Sequence, residues 1–146
     1  MKKILVVLFL FIASCGFKPI YSKDDQLILE FNKIVTNGDE KIIRRIINNL
    51  GLKEDVSSNY ELLLTANYNI EETSKNSKGK VETYRSTLNT RIIVKEYEKT
   101  LKNKNFLNEF SYSNKDNKFE LTKFQSEIKN NLIDEMSREI ILFFKL

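Results

Sequence analysis

From Tyr60 to Glu71 apolar and polar residues alternate, and this run limits the fold more than any other part of the chain. Tyr60, Leu62, Leu64, Ala66, Tyr68 and Ile70 fall on one face. Glu61, Thr65, Asn67, Asn69 and Glu71 fall on the other, and Leu63 breaks the pattern. A period of two belongs to a strand with one buried and one wet face. Residues 72–80 (ETSKNSKGK) are polar and read as a hairpin loop. A second long strand is predicted from Glu82 to Tyr97, with Tyr84, Leu88, Ile92 and Val94 on one side. Arg85, Asn89, Arg91 and Lys95 lie on its other side. Residues 98–104 read as a polar turn before a third strand over Asn105–Ser113, which carries Phe106, Phe110 and Tyr112 on one face. Three such neighbours make an antiparallel meander.

Segments of helical period flank the meander. Residues 27–36 alternate imperfectly and predict a first strand, with Leu27, Leu29, Phe31 and Val35 on one side. Asn37 and Glu40 have capping-box spacing. Ile42, Ile43, Ile46, Ile47 and Leu50 then recur at helical intervals, and Gly51 is placed to end the helix. Near the C-terminus Thr122 and Gln125 repeat the capping-box spacing. Phe124, Ile128, Leu132, Met136 and Ile140 follow as an apolar stripe, predicting a helix of about 23 residues, roughly 35 Å long. It is too charged to span a membrane. The order β-α-β-β-β-α predicts the α+β class: a two-layer sandwich, with a four-stranded, mostly antiparallel sheet and two helices on one face.

The N-terminus has a different character. Lys2 and Lys3 precede the apolar run Ile4 to Ile12, and Ala13 and Ser14 precede Cys15. That is the layout of a secretory signal. The run rises only roughly 14 Å as a helix, against about 30 Å of hydrocarbon, so it cannot span a bilayer. Ile12-Ala13-Ser14-Cys15 also resembles the lipobox of bacterial lipoproteins, in which the cysteine thiol is acylated and the chain is cut just before it. The expected organisation is a signal peptide over 1–14, a lipidated tether over 15–26 and one α+β domain over 27–146. Cys15 is the only cysteine, so it has no disulfide partner within the chain. The formal net charge is +4, and Lys2 and Lys3 supply two of those charges. What remains is too weak and too dispersed to suggest nucleic acid.

The chain contains no histidine, which removes the commonest general base and zinc ligand. Its four glycines form no phosphate loop, and no nucleophile is paired with a base. The pair Glu71-Glu72 and the pair Glu96 and Glu98 read as solvated strand ends. The expectation is a protein that is not an enzyme and takes no metal or cofactor. Arg85, Arg91 and Lys95 would project together from one strand. Ordinary solubility accounts for such residues; the functional alternative is an anion site, for example for phosphorylated sugars, which an Arg fork suits.

After the expected cut the sequence runs Cys15-Gly16-Phe17-Lys18-Pro19-Ile20-Tyr21. It resembles the CGF-(R/K)-P-(L/I)-Y start of the mature LPS-assembly lipoproteins, the LptE family. By motif the resemblance covers residues 15–21, and by element order the whole mature chain. It implies a non-enzymatic plug inside an LptD-type outer-membrane β-barrel that helps the barrel assemble, contacts lipopolysaccharide and helps deliver it to the outer leaflet. Gly16, where inner-membrane lipoproteins commonly carry aspartate, favours the outer membrane. No family ligand residue can be aligned across the strands, so Arg85, Arg91 and Lys95 rest on strand position alone. The rival expectations are a stand-alone lipid carrier, which needs an internal apolar cavity, and an accessory subunit of another envelope transporter.

Overall fold

The structure, a computed structural model, describes residues 30–145. The signal, Cys15, the tether and Leu27–Leu29 lie outside the described residues. Within that range the elements are β1 (Glu30–Phe31), β2 (Lys33–Gly38), α1 (Glu40–Leu50), β3 (Lys53–Glu54), β4 (Tyr60–Lys75), β5 (Val81–Glu96), β6 (Lys99–Ser113) and α2 (Lys118–Lys145). The main sheet has the order β2-β4-β5-β6, with β4, β5 and β6 antiparallel and β2 parallel to β4. The fold is α+β, with two helices on one face of that sheet.

The expected first strand is two. The chain bends at Asn32, so β1 pairs in parallel with the short β3, and β2 pairs with β4. The bend resets the alternation: Phe31 is buried, whereas Val35, placed on the same side by the sequence, is 40% exposed. Ile34 packs against the core instead.

The capping-box readings fail at both helices. Asn37 is still in β2, and the N-cap of α1 is Asp39, whose Oδ1 accepts from the backbone N–H groups of Lys41 and Ile42. A carboxylate there satisfies two orphan donors and suits the positive end of the helix dipole. Gly51 ends α1 with a φ of 66°. The helix α2 starts earlier than expected, because Asn117 Oδ1 accepts from Phe119 and Glu120. The Thr122 hydroxyl donates back to the Lys118 carbonyl from inside the helix.

The strands are also longer than their polar ends suggest. The polar turn expected over 98–104 is only Tyr97 and Glu98, and β6 begins at Lys99. Lys102 and Lys104 there cover aromatic rings: Lys102 Nζ lies 5.3 Å from the Phe143 ring centre, and Lys104 Nζ 4.7 Å from that of Phe106. A lysine stem packs on apolar surface while its amine stays wet, so polar letters conceal an inward-facing strand position. Likewise β4 continues to Lys75, where Thr73, Ser74 and Thr83 hydroxyls bond across the hairpin.

Between sheet and helices the core is continuous. Ile42, Ile46, Leu62, Leu64, Leu88, Ile92, Met136 and Ile140 are fully buried. Register places Leu62 opposite Val94 and Leu64 opposite Ile92, so the β4 alternation and the apolar positions of β5 meet as expected. Gly38 lets the chain leave the sheet for α1. Its φ is 108°, and a Cβ there would stand 2.1 Å from the Ala66 carbonyl oxygen.

Candidate functional site

Odd-numbered residues of β4 up to Glu71, of β5 from Thr83 to Lys95 and of β6 from Asn103 to Ser113 point away from the helices, so they form an outer face with no layer of the described residues over it. Arg85, Arg91 and Lys95 all lie on this face. Arg85 stands opposite Glu71 and Ser111, with Nη1 3.6 Å from Glu71 Oε1. Arg91 stands opposite Thr65 and Asn105 and donates from Nε to Asn103 Oδ1 at 3.3 Å. Lys95 faces Glu61 and Thr100. The three share the face but not a site. Arg85 and Arg91 are six positions apart, roughly 20 Å of backbone at strand rise. Each basic group has an acid or amide beside it, which makes a mixed polar surface.

An apolar row that the sequence reading missed crosses the same face. Val35, Leu63 and Ile93 are aligned across β2, β4 and β5, where the row ends against Asn103 of β6; Leu107, opposite Asn89, is a separate apolar residue on this face, 57% exposed. The signal was present: Leu63 was the one break in the alternation. Mixed hydrogen-bonding and apolar groups on a flat sheet can contact another surface. Among the described residues, no group of three or more Cys, Asp or Glu side chains is placed to hold a metal ion. No described helix is long and apolar enough to cross a membrane.

The inner face differs chemically. Tyr68 OH donates to Ser86 Oγ at 2.9 Å, and Ser86 Oγ donates to Tyr112 OH at 3.3 Å. Burial pushes the Tyr68 phenol above its ordinary value; the Ser86 bond opposes this, and Tyr112 adds to it. Asn108 Nδ2 donates to Glu139 Oε1 at 2.9 Å, tying β6 to α2. The two helices are joined by Arg45, whose Nη2 lies 3.0 and 3.1 Å from the Asp134 carboxylate oxygens. Asn49 donates to Asp134 and Ser137 from the same helix. At the ends of the molecule, Ser57 bonds hold the exposed Asp55 carboxyl below its ordinary value. The Lys80 amine, 2.6 Å away, does the same for Asp116.

No family model matches the sequence, and no curated protein matches it. Solved structures do match. Rare lipoprotein B from Shewanella oneidensis superposes with a TM-score of 0.61 at 11% identity, over 78% of this chain and 94% of that one. An uncharacterized lipoprotein B from Nitrosomonas europaea gives 0.59 at 10% identity, over 77% of this chain and 81% of that one. A minor lipoprotein from Acinetobacter baumannii gives 0.53 at 13% identity, over 77% and 90%. At these identities the likeness is one of architecture, and the described residues have the fold of these solved bacterial lipoproteins.

Proposed function

We propose that this chain is an outer-membrane lipoprotein, anchored through Cys15, that plugs an LptD-type β-barrel, helps it assemble and helps deliver lipopolysaccharide to the outer leaflet. The observation that carries this reading is the CGFKPIY start at the expected lipidation site, and the fold shared with rare lipoprotein B over 94% of that chain supports its coarser part, a bacterial lipoprotein. The outer face suits the role, because a barrel lumen is polar and wet and this surface presents amides, hydroxyls and paired charges. The inner layer disfavours a stand-alone lipid carrier. Leu62, Leu88, Ile92 and Met136 fill it, and the Tyr68–Ser86–Tyr112 hydroxyl chain crosses it, where acyl chains would need a dry cavity.

The test is purification of the tagged protein from detergent-solubilised native outer membranes. A large barrel is expected in equal amount. Loss of the protein should leave that barrel misassembled and lower surface lipopolysaccharide. If no barrel co-purifies, the plug reading is wrong. The paired reversal R85E/R91E asks whether the basic face takes part; unchanged barrel association and lipopolysaccharide binding would assign those arginines to solubility.

A further inference from the structure

The described chain begins at one end of the sheet, and that end is the more apolar rim of the domain. Four segments meet there. Glu30 and Phe31 pair with β3; the Glu30 carbonyl accepts from Ser58 Oγ, and the Phe31 carbonyl accepts from Asp55 N–H. The β5–β6 turn and the last turn of α2 arrive from the other side. A groove of about 260 Å³ lies between them, walled by Phe31, Tyr60, Leu101 and Phe144, with Lys102 at its edge. Around it Val56 is 91% exposed and Tyr97 72% exposed.

Tyr97 is the sharpest signal. It sits first in a two-residue turn with a φ of 53° and is the one non-glycine residue at positive φ among the described residues. That position ordinarily takes glycine, asparagine or aspartate. A bulky aromatic residue held there costs folding free energy, and its ring lies in water.

We infer that this rim docks on the bilayer surface, with Tyr97 and Val56 inserted into the boundary between headgroups and acyl chains. The inference rests on the reading that Cys15 carries lipid. The stretch from Cys15 enters the described domain at Glu30, so this rim is the part of the domain joined most directly to the lipid. Tyrosine is a residue of membrane interfaces, apolar along its ring and polar at its tip. Lys53, Lys99 and Lys102 flank the rim, but Glu54, Asp55, Glu96 and Glu98 lie there too. Net charge is therefore small, and the contact is one of side-chain insertion into uncharged phospholipid, insensitive to salt.

The chain has no tryptophan, so a single one is a clean probe. The variants are Y97W and V56W, with F119W as the control; Phe119 is 77% exposed at the opposite end of the sheet. Each full-length protein, processed in cells, is placed in phosphatidylcholine vesicles with brominated acyl chains. A ring buried roughly 5–10 Å into the boundary region lies within reach of the bromines, so Y97W and V56W should be quenched at least about twofold more than F119W. The excess should survive high salt. Equal quenching at all three positions overturns the docking. The mass of the N-terminal peptide, measured on the same samples, separates the two readings. Lipidated protein without excess quenching removes the docking alone, and an unlipidated Cys15 removes both.

Discussion

The two faces of the main sheet are built from the same strands, one residue out of step, and they answer to different constraints. Inner residues such as Leu64 and Ile92 are sealed beneath α1 and α2, and each position is set by volume. Outer residues such as Thr65, Arg91 and Leu107 meet only their neighbours within the sheet, with no layer of the described residues over them, so stability alone permits many side chains there. The contrast teaches where to look for function. A charged or apolar residue on the inner face is explained by packing, while one on the outer face asks for a partner.

Substitutions can break or sharpen that contrast. The largest effect is expected at the crossing between sheet and helix layer. Gly38→Ala places a Cβ against the Ala66 carbonyl at a φ that disfavours any side chain, and should cost about 4 kcal/mol or leave the protein unfolded. A urea midpoint within error of the parent would show that β2 shifts freely. Leu64→Ala, on the inner face, should cost about 3 kcal/mol by denaturant unfolding. A loss below about 0.5 kcal/mol would mean that the layer collapses around the void.

Next comes Tyr68→Phe, expected to cost about 1 kcal/mol through loss of the hydrogen bond to Ser86. Its pH dependence gives a second readout. Burial keeps the folded phenol protonated after the unfolded one ionises, so its contribution is complete below the ordinary phenol pKa near 10 and is lost as pH rises beyond it. The parent should therefore lose stability more steeply than Y68F between pH 9 and 11. Parallel curves would place Tyr68 in open water. The smallest effect belongs to the outer face: Leu107→Ser should change stability by less than about 0.5 kcal/mol. A larger loss would show that Leu107 is covered in the free protein.

Much of this architecture was legible because its signals are local. The alternation from Tyr60 to Ile70 and the Ile42 to Leu50 stripe need only a few residues to be read, and both gave the observed element and its buried face, apart from the exposed Tyr60 and Ile70 at the two ends of the alternating run. What escaped depends on distant partners. β3 exists because β1 lies beside it, and two residues carry no periodicity of their own. Thr90 and Ser86 are fully buried although neither is apolar: Thr90 stands opposite the small Ala66, and Ser86 is bonded to the Tyr68 and Tyr112 hydroxyls, which come from neighbouring strands. The lysines of β6 were read as turn because their role needs Phe143, far along the chain. For the outer face, sequence placed Arg85, Arg91 and Lys95 on one surface; it gave no sign that Glu71 and Asn103 sit beside them.

The ring pair Phe31–Phe144, with centres 6.4 Å apart, has a consequence in time as well as space. The β4–β5–β6 meander joins sequence neighbours, so it needs little loop closure and can form as soon as its strands emerge. The rim around Phe31 cannot close until the last turn of α2 arrives. Whenever the exported chain folds, the core is complete only once Phe143 and Phe144 have packed back against Phe106 and Phe31. A chain lacking those two residues would leave Phe31 and Phe106 without their ring partners, which makes the C-terminal turn the last piece of the core to close.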